Sequence, residues 1–119
     1  MNVILVEDNQ DLRDSVAGFL RMMGHDVTDS PDGERALESF INGGEHVDLV
    51  ITDVKLPGMN GEELARKIRR VQENVKILFI SGYTEGIIDH DGFLSKGVEF
   101  LKKPFFAKDL KKKIEEIFE

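Results

Sequence analysis

Five side chains in this 119-residue chain have types and placements that could act together on one reaction, and each stands where a short apolar run ends. Val3-Ile4-Leu5-Val6 runs into Glu7-Asp8, and Leu49-Val50-Ile51-Thr52 runs into Asp53. Ile77-Leu78-Phe79-Ile80 ends at Ser81, and the run from Val98 to Leu101 is followed by Lys102-Lys103-Pro104. Taken singly, an Asp in such a place is as readily a solvated loop residue or a helix cap. Three acids brought together are different, because crowded like charges raise one another's pKa unless a cation compensates. A hard divalent ion fits best. Mg²⁺ takes oxygen ligands, needs only one or two carboxylates and keeps places for water and phosphate oxygens. Ca²⁺ is disfavoured, since no D-x-[DN]-x-[DN]-G loop is present.

A hydroxyl and an ammonium beside that acid set make a phosphoryl-transfer site. A carboxylate is repelled by an anionic phosphoryl group, so a metal ion and an ammonium must neutralise the charge on its oxygens. Asp53 stands alone after its run and is the natural attacker, with Glu7 and Asp8 as a paired metal platform. Pro104 disfavours helix at Lys103 and removes a backbone donor, which keeps the chain extended where Lys103 must reach back.

These groups meet only if the apolar runs lie side by side. Strands are expected over 2–6, 25–29, 48–52, 76–80 and 98–101, alternating with segments whose apolar residues recur at helical spacing. The helical faces are Leu12, Val16, Phe19, Leu20 and Met23 in 11–23, then Ala36, Leu37, Phe40 and Ile41 in 33–41. Leu64, Ile68 and Val71 mark a third in 61–72, and Leu110, Ile114, Ile117 and Phe118 a fourth at the C-terminus. The stretch 84–95 is interrupted by Gly86 and Gly92 and predicts a short, poorly anchored helix. Alternating strands and helices imply right-handed crossovers and a doubly wound five-stranded parallel α/β sheet of the flavodoxin-like (βα)5 class. The order 2-1-3-4-5 places the polar second strand at one edge and the short fifth at the other. Ligands bind beyond the carboxyl ends of such strands, where strands 1 and 3 diverge.

The bulk composition is consistent with one domain over 1–119: 40% of residues are hydrophobic and Cys is absent, so neither disulfides nor thiolate metal sites arise. A cytoplasmic setting fits, with no apolar run near the roughly 20 residues needed to cross a bilayer and no signal-peptide pattern. A net charge of −7 argues against direct nucleic-acid binding. Lys111, Lys112 and Lys113 are expected to decorate a solvated helix face. His25, His46 and His90 lack metal spacing and are expected in surface or loop positions.

The set Glu7-Asp8, Asp53 with Pro57-Gly58 and Gly61, Ser81-Gly82, and Lys103-Pro104-Phe105 resembles the response-regulator receiver family along nearly the whole chain. That resemblance implies Mg²⁺ held by Asp8 and Asp53, by Glu7 directly or through water, and by the backbone carbonyl of Lys55. It implies phosphorylation of Asp53 from a phosphohistidine, a hydrogen bond from Ser81 and an ion pair from Lys103. Phe100 falls at the family's aromatic switch, where many members carry Tyr. Ser81 stands where many carry Thr. Lys55 and Tyr83 would tune hydrolysis. The implied partners are a histidine kinase or phosphotransfer protein and an output protein or domain docking on 84–95, the fifth strand and the last helix, with the chain a monomer or weak homodimer. The segments around Ser81-Gly82-Tyr83-Thr84 and Gly97-Val98-Glu99-Phe100 also resemble receivers of hybrid sensor histidine kinases, so the chain is either a stand-alone receiver or a piece of a larger protein.

Three rivals differ in what they need. An aspartyl-phosphate phosphohydrolase, an enzyme where a receiver is a signalling domain, usually has D-x-D, but Lys55 stands at the second position. A flavodoxin-like binding module would need a phosphate loop such as G-x-G-x-x-G, and none is present. A receiver-shaped scaffold that no longer takes phosphate would have little use for the intact acidic set.

Overall fold

The computed structural model describes residues 1–82 and 96–119. The expected helix over 84–95, with Tyr83 and His90, lies outside them. Strands β1 (Asn2–Val6), β2 (Asp26–Ser30), β3 (Leu49–Asp53), β4 (Lys76–Ser81) and β5 (Val98–Lys102) form one sheet in the order β2-β1-β3-β4-β5. All its neighbours are parallel. The described helices are α1 (Gln10–Met22), α2 (Gly33–Gly43), α3 (Gly61–Val71) and α4 (Ala107–Ile117).

Strict alternation along the central strands builds two cores. Val3, Leu5, Leu49, Ile51, Leu78 and Ile80 face α1 and α4, where Val16, Leu20, Leu110 and Ile114 meet them. Ile4, Val6, Val50, Ile77 and Phe79 face α2 and α3, against Phe40, Leu64 and Ile68. Each such side chain contributes about 1.5–3 kcal/mol on burial. β2 exposes Asp26 and Thr28, as an edge strand should. Helix starts are fixed by side-chain oxygens: Asn9 accepts from the Leu12 N–H at 2.9 Å, Asp32 from Arg35 at 2.8 Å and Asn60 from Glu63 at 2.8 Å. Each such cap is worth about 1 kcal/mol. At α4 the Phe106 N–H donates to Asp109 Oδ2 at 2.8 Å.

The boundaries and faces differ from expectation in places. β2 starts and ends one residue later than the hydropathy suggests. The ladders of β3 and β4 extend through Asp53 and Ser81 themselves, pairing Asp53 with Ile80 and Ser81 with Lys102. Ile41 is 60% exposed, Val71 70% and Phe118 41%. In α3 the buried stripe is centred on Leu64, Ala65 and Ile68 and includes Arg69, so Val71 falls at its margin in the final turn. Ile41 sits likewise at the margin of α2, and Phe118 lies past the end of α4. Lys111 and Lys112 are exposed as expected, while Lys113 lies 3.4 Å from Glu116 and 4.0 Å from Glu99 of β5.

Two glycines test the packing in opposite directions. A Cβ at Gly61 would overlap the carbonyl oxygen of Asp53, so α3 can approach the end of β3 only without a side chain there. Gly18, in the middle of α1, has open space where a Cβ would stand. Gly61→Ala is expected to cost about 1–3 kcal/mol, the range for forcing atoms into a packed site. Gly18→Ala should stabilise by about 0.5–1 kcal/mol. Urea denaturation checks both, and an unchanged midpoint for Gly61→Ala would contradict the close approach.

Candidate functional site

β1 and β3 are neighbours whose crossovers leave on opposite faces, α1 on one and α3 on the other, so a crevice opens beyond their carboxyl ends. Glu7 and Asp8 follow β1 directly, Asp53 ends β3, and one carboxylate oxygen from each lies within 4.8 Å of the others. The three are not equivalent. Glu7 is 1% exposed and Asp53 8%, while Asp8 faces solvent. Lys103, just past β5, crosses β4 to place Nζ 2.6 Å from Glu7 Oε1 and 2.6 Å from Asp53 Oδ2. Its backbone N–H donates to the Ser81 carbonyl at 2.9 Å, and its peptide bond to Pro104 is cis. Ser81, ending β4 between them, is buried.

The remaining oxygens have partners too. The Asn9 N–H donates to Glu7 Oε2 at 3.1 Å, and the Lys55 N–H donates to Asp53 Oδ1 at 3.2 Å. Thr52 Oγ1 donates to the Asp53 carbonyl at 2.9 Å. Burial pushes the Glu7 carboxyl above its ordinary value, offset only in part by the bonds from Lys103 and Asn9. Burial alone would pull the Lys103 ammonium down, but hydrogen bonds and charge from Asp53 and Glu7 outweigh it and hold the group above its ordinary value. Both shifts run toward keeping protons, as a site short of positive charge should.

Three carboxylates and one ammonium leave an uncompensated negative charge in an all-oxygen donor set. A hard divalent cation fits that deficit and that chemistry. The residues that would hold it are Glu7, Asp8 and Asp53. Phe100 on β5 is half-buried and stacks on Phe79, with ring centroids 5.7 Å apart and planes 24° apart.

The structure thus gathers Glu7, Asp8, Asp53, Ser81 and Lys103 at one edge and sets Lys55 beside Asp53. Tyr83 lies outside the described residues. His25 lies in the loop between α1 and β2, as expected, and is half-buried: its Nδ1 lies 3.2 Å from the N-terminal amine, and burial, then that charge, lower its pKa. His46 is exposed near Asp48. Several contributors escaped the sequence reading. Asn9 could have been found as the polar residue before a helix, but Thr52, Arg13 and Glu34 act on backbone atoms and leave no pattern. Glu34 Oε2 accepts from the Met59 N–H at 2.9 Å and so ties the loop after β3 to α2.

An open parallel sheet with an acid trio and a lysine at its switch point is the arrangement expected of a receiver domain in two-component signalling. The family model for the response regulator receiver domain matches residues 3–115, and this chain belongs to that family. It is 34% identical over 117 residues to the sensor kinase CckA of Brucella abortus, covering 98% of this chain but 12% of that protein. It is 32% identical to the response regulator receiver protein CpdR of the same organism, covering 97% of this chain and 94% of CpdR. Among solved structures, the receiver domain of the hybrid histidine kinase CckA superposes with a TM-score of 0.84 at 32% identity, each chain covered in full. The response regulator TrrA of Thermotoga maritima, solved in complex with Mg²⁺ and BeF, gives 0.81 at 28% identity over 98% of this chain and 97% of that one. No helix among the described residues is long and apolar enough to cross a membrane.

The charge deficit predicts how the site responds to losing its ammonium. Lys103→Met should destabilise the metal-free protein by about 1–3 kcal/mol, below the usual cost of breaking a fully buried pair because the side chain is 26% exposed. Adding Asp53→Asn to Lys103→Met should recover stability, since it removes one of the charges left unpaired. Chemical denaturation in EDTA checks both, and a double variant less stable than Lys103→Met would contradict the deficit.

Proposed function

We propose that the chain is a phosphoacceptor: Asp53 takes a phosphoryl group from a phosphohistidine of a histidine kinase or phosphotransfer protein in an Mg²⁺-dependent step. The observation that carries this reading is the bridge from Lys103 Nζ to Glu7 and Asp53 inside an acid trio. A carboxylate oxygen of Asp53 forms the new P–O bond as the P–N bond to the donor imidazole breaks, and the imidazole leaves with the electron pair. Lys103 exchanges part of its hold on Asp53 for the incoming phosphoryl oxygens. Ser81 donates its hydroxyl to the same group. Asp8, Asp53, Glu7 directly or through water, and the backbone carbonyl of Lys55 are the proposed Mg²⁺ ligands. Bound there, the ion would neutralise phosphoryl charge during transfer. The Mg²⁺ and BeF bound by TrrA support this cofactor by similarity.

The signal would then pass from Ser81 to Phe100, whose stacking on Phe79 and partial exposure leave it two faces to choose between. The outcome is a biased two-state equilibrium at a surface formed by 84–95, β5 and α4, where an output protein or domain would dock. Lys55 and Tyr83 are proposed to set how fast water removes the phosphoryl group. On this reading the chain is a signalling domain that assists its own phosphorylation and dephosphorylation, not an enzyme turning over a small substrate. It works in the cytoplasm as a monomer or weak homodimer. We read 1–119 as one receiver. CpdR, matched over most of its length, and CckA, matched over a small part, supply one precedent each for a stand-alone receiver and for a module of a larger kinase.

Incubation with acetyl phosphate and Mg²⁺ followed by intact mass should show one added phosphoryl group, absent without Mg²⁺ and absent in Asp53→Asn. Equal labelling of wild type and variant would sink the assignment. With beryllofluoride and Mg²⁺, NMR shifts should reach the Phe100 ring and α4; changes confined to the acid trio would argue against the switch.

A further inference from the structure

Arg13 lies outside the acid set, yet it reaches the backbone that carries it. One turn into α1, its Nη1 donates to the carbonyl oxygen of Glu7 at 2.9 Å. That carbonyl belongs to the peptide plane joining Glu7 to Asp8, so fixing it fixes where the Asp8 Cα stands and narrows where its carboxylate can reach. The other side of the same loop is fixed by the Glu7 N–H, which donates to the Ser30 carbonyl at 3.1 Å.

Arg13 is itself held. Its side chain is 15% exposed, and Nε lies 3.6 Å from Asp29 Oδ2. The other oxygen of Asp29 lies 3.2 Å from Arg21 Nη2, which also donates to the Val27 carbonyl at 2.9 Å. The planar fork of an arginine can serve an acceptor on each side at once, and a lysine ammonium matches that geometry poorly. Asp8 needs such support. It is the exposed member of the trio, and Lys103 contacts the other two.

We propose that Arg13 is a positioning residue for the divalent-ion site, holding the Glu7-Asp8 peptide so that Asp8 is presented ready to bind, with Asp29 orienting the guanidinium. The inference rests on the Mg²⁺-dependent reading above. It has a sign that charge alone cannot imitate. Arg13 is a cation near a cation site, so removing its charge would by itself tighten Mg²⁺ binding. Loss of positioning weakens it.

The test is Mg²⁺ titration of the full chain by calorimetry, with NMR of the Asp8 and Asn9 amides as a second readout. Arg13→Ala should bind Mg²⁺ about tenfold more weakly, the scale seen when a partner that orients a metal ligand is lost. Arg13→Lys, which keeps the charge and most of the stem and guards against a variant that fails to fold, should also bind more weakly than wild type. Unchanged or tighter binding in Arg13→Lys, or in a folded Arg13→Ala, would overturn the positioning role and leave the phosphoacceptor reading standing. A wild-type chain that takes no Mg²⁺ would overturn both.

Discussion

The ammonium of Lys103, set between Glu7 and Asp53, is the contact on which the rest of the molecule depends. Burying two carboxylates side by side is costly in a low-dielectric interior, and only an opposite charge with short hydrogen bonds makes it tolerable. Here that charge arrives from the far end of the chain, 96 residues from Glu7. The cation also falls short of balancing the acids. The site therefore stays folded while keeping an appetite for further positive charge, the condition the proposed phosphoryl transfer requires.

The sheet makes this arrangement possible by separating stability from chemistry. The two cores occupy the faces of the sheet, and their alternating residues stop where the strands stop. Polar groups take over at the next positions, and among the described residues no buried side-chain nitrogen or oxygen is left without a hydrogen-bond partner. Close backbone approach does the remaining work: Gly61 lets α3 start against the end of β3, and its N–H donates to the Val54 carbonyl at 2.9 Å. Glu34 then fastens the intervening loop to α2.

Much of this was legible in the residues. Continuous apolar runs marked β1, β3 and β4 as central, and the acids, hydroxyl and lysine at their ends marked one edge as the reactive one. The inequality of Glu7 and Asp8 was not legible, because it depends on which acid Lys103 reaches, a contact no local pattern encodes. Ile41 and Val71 show another limit: periodicity gives an angle around a helix but not where the covering sheet ends. Arg13 and Thr52 show a third, since bonds to backbone atoms require no matching residue type on the partner and so leave no trace in spacing.

Asp53 and Ser81 belong to the β-ladder itself, and Lys103 follows it by one residue. Their mutual placement is set by strand register, which the alternation of core-facing residues along the strands specifies. The outer surfaces of α1, α2, α3 and α4 are thereby released from any duty in placing these groups. Substitutions confined to those surfaces therefore leave the strand register untouched, which is compatible with relatives that match nearly the whole chain at about a third identity.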